Sequence, residues 1–211
     1  MEVKLDDVVL EVVLVKKNNK NIYLRIKDDL KLYVYANKYV LKKEIEKLIL
    51  DNKDSIIKMY TKAKKSLDYN NRCYYLGKEY TVVYQNDIKE VILEDDLILV
   101  RNEKMLDSFF KKETKRIFNE RVEKLKPLFT YLPSFNLKIR NMKTRWGVCN
   151  RSKNIVTLNS QLIKKEVDLI DYVIVHEFCH FKEGNHSLKF WEEVAKYYPK
   201  YKEARKKLRE V

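Results

Sequence analysis

Residues 168–186 read DLIDYVIVHEFCHFKEGNH, and no other stretch constrains the fold as much. DLIDYVIV is apolar enough that a helix formed by it has to be buried. The polar residues His176, Glu177 and His180 follow at once, and His186 stands six positions later. The chain has 211 residues and three histidines, and all three histidines fall between 176 and 186.

His176, Glu177 and His180 form an HExxH pattern. On a helix, positions i and i+4 share a face, so both imidazoles reach one ion. Glu177 stands about 100° round the helix from His176, where its carboxylate approaches a water on the metal without ligating the metal. Two imidazoles make a borderline-soft nitrogen site that suits one Zn²⁺ per chain. Catalytic zinc needs a third protein ligand and an open fourth position. His186 supplies that ligand if Gly184 takes the left-handed conformation that ends a helix and turns the chain back. Glu192 or Glu193, on the next helix, would be an acidic alternative. Glu177 is then the general base. Arg145 is the nearest residue in sequence to stabilise an oxyanion, although a structural arginine on a strand reads equally well. Cys179, at i+3 from His176, reads as a small residue packing the helix. Cys149 reads either as packing or as lining the cleft.

Only three glycines and three prolines punctuate the chain, so elements are read from periodicity. VVLEVVLVKK, NIYLRIK and LKLYVYA read as strands, with turns at Asn18, Asn19 and Asp28-Asp29. The 3-4 spacing of Leu41, Ile45, Leu48, Ile49, Ile56, Met59, Tyr60, Ala63 and Leu67 predicts one amphipathic helix over 41–67. Hairpins are expected at Gly77 and at Asp95-Asp96. A long helix over 103–132 should kink or end at Pro127. FNLKIRNM, TRWGVC and NIVTLN follow as strands. Helices over 164–183, 187–198 and 200–210 close the chain, with Pro199 starting the last. The class is α+β: a β-rich N-terminal part with one long helix over 1–102, and the metal-binding part over 103–211.

TRWGVC (144–149), IVTLN (155–159), DYVIVHEFCH (171–180) and NHSLKFW (185–191) resemble, in order and spacing, the YgjP-like metallopeptidases, relatives of the SprT-like and WLM zinc peptidases. The resemblance is specific over 144–191 and loose before it. It implies a zincin-like domain in which the HExxH helix lies beside a small sheet. It implies zinc held by His176, His180 and His186, with Glu177 as catalytic base. Arg145, Trp146, Gly147 and Cys149 match the family's RWGSC segment, and Val148 stands where that segment has serine.

The net charge of +14 favours polyanions, so nucleic acid is a candidate partner. The excess is mostly lysine spread along the chain, which equally describes a solvated surface. No apolar run reaches the roughly 18 residues of a membrane span. The start, MEVKLDDVVLEVVLV, alternates like a strand and does not read as a signal peptide. Without a targeting segment the cytoplasm is expected, and an odd count of three cysteines argues against a disulfide framework. The leading expectation is a zinc-dependent peptidase acting on a peptide or protein. One alternative is a metal-dependent nucleotide pyrophosphatase on the same site. The other is a nucleic-acid-associated protein with a structural metal site, which would need a fourth ligand and no base. The oligomeric state is not written in the sequence.

Overall fold

The computed structural model describes residues 2–18, 21–27 and 29–209, leaving aside the side chains of 66–71. The expected turn residues Asn19 and Asp28, the side chain of Leu67 and the end of the last helix lie outside these. The chain divides into two compact units, with the boundary between Asn71 and Arg72.

In the first unit, β1 (Glu2–Leu5), β2 (Val8–Lys16), β3 (Tyr23–Ile26) and β4 (Leu32–Ala36) form a sheet of order β1-β2-β4-β3. β2 and β4 run parallel, and the other pairs antiparallel. Burial alternates along β4. Leu32, Val34 and Ala36 are buried and join Leu5, Leu10, Val12, Ile45, Ile49 and Ile56 in one core. The single helix expected over 41–67 is two helices, α1 (Lys42–Asp51) and α2 (Lys53–Asn71). Asn52 makes the break, with backbone angles of φ −107° and ψ 18°. Its side-chain amide and its backbone N–H both donate to the Leu48 carbonyl, at 2.8 and 3.1 Å, closing the end of α1.

The second unit begins with β5 (Cys73–Tyr75), β6 (Lys78–Tyr84), β7 (Ile92–Glu94) and β8 (Leu97–Val100), in the order β5-β6-β8-β7. Both expected hairpin turns are present, at Leu76-Gly77 and at Asp95, with positive φ at each of these residues. These strands stay with the second unit rather than with the N-terminal part as the sequence suggested. The N–H groups of Leu76 and Gly77 donate to the carbonyls of Ile163 and Lys164. Gly77 lies so close to Glu166 that an added Cβ would stand 2.7 Å from its Cγ. Tyr75 is buried against Phe109 and Phe110, and its hydroxyl donates to Glu113 at 2.6 Å.

Helix α3 (Glu103–Leu125) starts at Asn102, whose side chain accepts from the Met105 N–H. It ends before Pro127, which opens a short 3-10 turn. Strands β9 (Asn136–Arg140), β10 (Gly147–Asn150) and β11 (Ile155–Asn159) form a second small sheet, of order β10-β11-β9. Helices α4 (Val167–Lys182), α5 (Leu188–Tyr197) and α6 (Tyr201–Lys207) follow. Pro199 lies in the turn before α6 rather than inside it. α4 is buried along most of its length, as DLIDYVIV requires, and packs against β10, β11 and α3. Arg121 of α3 grips Asp171 of α4 through two bonds, at 2.7 and 2.5 Å. The architecture is α+β. Among the described residues no helix is long and apolar enough to cross a membrane.

Candidate metal centre

α4 carries His176 and His180 one turn apart, with ring centroids separated by 4.9 Å. The helix ends at Lys182, and Glu183 is extended, with φ −115° and ψ 107°. The chain then turns back. Ser187 caps α5 by accepting from the Phe190 N–H, and this capped end holds the adjacent His186 over α4. The Nε2 atoms of His186 and His176 lie 3.1 Å apart. One nitrogen from each of the three imidazoles falls within 4.8 Å of the others, and these three could hold a metal ion. Phe190 is fully buried beneath them, with its ring centroid 4.9, 4.5 and 4.9 Å from His176, His180 and His186. Trp191 stacks on His186 at 5.6 Å.

The turn is made differently from the expectation. Gly184 does not have positive φ, so it is not a left-handed helix end. Its smallness serves another purpose, because a Cβ there would stand 2.5 Å from Nη1 of Arg151.

Burial is the largest influence holding all three imidazoles below the ordinary histidine pKa. His176 is pushed down to about 3, with the neighbouring His180 and His186 adding to the effect. His180 and His186 are lowered as well. The imidazoles are therefore neutral, the form that ligates metal. His180 Nδ1 lies 3.1 Å from the Glu183 carbonyl. A carbonyl only accepts, so Nδ1 carries the proton and the Nε2 lone pair is left bare. Two uncharged Nε2 atoms 3.1 Å apart would face each other lone pair to lone pair, unless a shared proton or a cation stands between them. This donor set fits a divalent, borderline-soft ion.

Glu177 is 4% exposed, and its Oε2 has no hydrogen-bond partner. Burial pushes its carboxyl up to about 8, against the opposing effects of the Cys149 backbone N–H and the Arg145 charge. β10 passes directly over it. A Cβ on Gly147 would lie 2.5 Å from Glu177 Oε1 and 2.8 Å from its Cδ. Glycine is the residue that lets the strand approach this carboxylate. Asn159, at the end of β11, ties down the loop entering β10. Its amide donates to the carbonyls of Met142 and Arg145 at 2.7 and 2.8 Å, and its oxygen accepts from the N–H groups of Met142 and Gln161.

Arg145 is exposed, two residues ahead of Gly147, and its charge favours the ionised form of Glu177. Glu193 is buried but bonded to Lys182 and Lys196, and Glu192 is exposed. Neither joins the three nitrogens. Cys179 is fully buried in the helix packing, with its thiol pushed up to about 12 by burial. Cys149 is half-buried and also raised to about 12, first by burial and then by Glu177. Sequence reasoning missed Arg151 and Arg205, whose charges reach His180 and the His176–His186 pair respectively. In a chain this rich in cations, no sequence signal separated them from the rest.

By family the chain is a metallopeptidase, a class of hydrolase. The chain is a member of the YgjP-like family and matches its metallopeptidase domain over residues 20–211. It is 31% identical over 93 residues to the uncharacterized protein MJ0123 of Methanocaldococcus jannaschii, a match covering 43% of this chain and 81% of that protein. Among solved structures it is similar to the metallopeptidase zymogen of M. jannaschii jannalysin, at 28% identity. That match covers 45% of this chain and 92% of the other, with a TM-score of 0.36. The metallopeptidase zymogen of Pyrococcus abyssi abylysin is similar at 23% identity, with coverages of 45% and 90% and a TM-score of 0.37.

Proposed function

We propose that the chain is a zinc-dependent peptidase of zincin-like build, with α4 as its active-site helix and a peptide or protein as substrate. His176, His180 and His186 would hold one Zn²⁺. The observation that carries this is the meeting of three imidazoles, two of them on the helix that also carries the buried Glu177 carboxylate. Bound zinc would polarise the scissile carbonyl and make a water acidic enough to attack near neutral pH. Glu177 takes the proton of the attacking water and returns it to the leaving amine. Burial raises its carboxyl above the ordinary range, which favours its holding the proton between the two transfers. Gly147 keeps that carboxylate uncrowded, and Arg145 is the proposed donor to the oxyanion. The free thiols Cys73, Cys149 and Cys179 suit the cytoplasm as working compartment.

The test compares zinc-loaded wild type with Glu177→Gln. The panel is an unfolded protein, the same protein with DNA, and nucleoside triphosphates. Fragments produced by wild type, and lowered about 10²–10⁴-fold in the variant, are the expected outcome. Phosphate or pyrophosphate released by wild type alone would make the enzyme a nucleotide hydrolase. Undiminished turnover in the variant would take the base away from Glu177.

A further inference from the structure

Ten of the chain's cations are arginines. Three arginines of the second unit are held by carboxylates: Arg72 by Glu79, Arg116 by Glu113 and Glu120, and Arg121 by Asp171. Arg145, Arg151 and Arg205 differ from these. Among the described residues none of the three is in an ion pair, and all three are open to solvent.

They come from three separate segments and gather round one place. Arg145 precedes Gly147, the residue that touches the Glu177 carboxylate. Arg151 follows β10, and its Nη1 fills the space beside Gly184, between His180 and His186 in the chain. Arg151 also lines an open groove of about 590 Å³ with Tyr131, Pro133, Ser152, Asn154 and Phe181. Arg205 of α6 stands 4.6 Å over the ring of Trp191, the residue stacked on His186. Stacking holds a guanidinium plane in place and leaves its N–H edge free to donate.

We infer that Arg151 and Arg205 form a cationic rim that binds an oxyanion group, carboxylate or phosphate, carried by the substrate beside the bond to be cut, leaving Arg145 to the oxyanion of the reaction itself. The planar donor fork of arginine matches both groups in two-bond geometry, which a lysine ammonium does not. The inference rests on the reading of the histidine cluster as a hydrolytic centre, and it adds the class of substrate. Acidic side chains flanking the scissile bond, a terminal carboxylate or a phosphorylated residue would each satisfy it.

The experiment measures equilibrium binding to the zinc-loaded Glu177→Gln protein, so that no turnover intervenes. The probes are three labelled peptides of one sequence, flanked at the same positions by alanine, glutamate or phosphoserine. The charged peptides are expected to bind at least about tenfold more tightly than the alanine peptide. Arg151→Gln and Arg205→Gln, each added to that background, should lose about tenfold for the charged peptides and nothing for the neutral one. Arg151→Lys and Arg205→Lys should recover part of the loss. Inorganic phosphate should compete if phosphate is the source, and the glutamate peptide should be preferred if carboxylate is. Equal affinity for all three peptides, no binding of any, or indifference to both arginine variants would overturn the inference. Cleavage by wild type is scored separately. Arginine-dependent binding without cleavage would leave the rim standing and remove the peptidase reading.

Discussion

Gly147 and Glu177 are far apart in sequence and in contact in the fold. Gly147→Ala would place a methyl group 2.5 Å from the carboxylate oxygen, closer than the two can pack without a shift. Turnover is expected to fall about 100-fold, since a displaced base loses its alignment, while zinc binding persists. Steady-state kinetics beside zinc titration would check this, and full activity would mean that Glu177 moves without consequence. His186→Ala should weaken zinc binding by orders of magnitude, because HExxH alone offers two ligands. An unchanged zinc affinity by competition with a chelator would remove His186 from the ligand set. The cluster itself was legible in the sequence, since His176, His180 and His186 converge as their spacing implied. The role of Gly184 was not. A glycine in a sequence does not say whether its backbone angle or its missing Cβ is being used, and here it is the missing Cβ.

At the scale of elements, α4 is held from several sides, and one tie is polar. Arg121 and Asp171 are 14% and 13% exposed, so breaking the pair strands a charge that is largely out of water. Arg121→Ala is expected to cost about 2–4 kcal/mol, read as a lower urea midpoint at unchanged slope. A shift below about 0.5 kcal/mol would show that the pair contributes no more than a surface ion pair. Strands and helices were mostly legible from period: LKLYVYA alternates in the fold as in the sequence, and Pro127 ends α3. The break at Asn52 was hidden because Leu48, Ile49 and Ile56 keep a helical spacing across it. Asn52, off helical angles and bonded back to the Leu48 carbonyl, caps α1 there.

Across the whole molecule, both tryptophans, Trp146 and Trp191, lie in the second unit with all three histidines. Trp191 stacks on His186, so its emission should report zinc binding directly. Zinc well above its dissociation constant should raise the thermal midpoint seen by tryptophan fluorescence, the gain being about 4 kcal/mol at 1,000-fold excess. His186→Ala should remove most of that rise. An equal rise in the variant would place the stabilising ion elsewhere. The charge of +14 carries its own expectation: any binding to duplex DNA should weaken steeply as salt is raised. An affinity indifferent to salt would exclude a simple electrostatic attraction.

The sequence by itself determined that α4 is a buried helix, that His176 and His180 share a face of it, and that the chain is α+β. These follow from period and composition, which act over a few turns or strands. Tertiary structure decided what lies against that helix. It brought Gly147 onto Glu177, Arg151 onto Gly184 and Arg205 over Trp191, and it joined the strands of 73–100 to the rest of the second unit through the Leu76-Gly77 turn. Contacts between distant residues depend on how elements pack, and local periodicity carries no record of that.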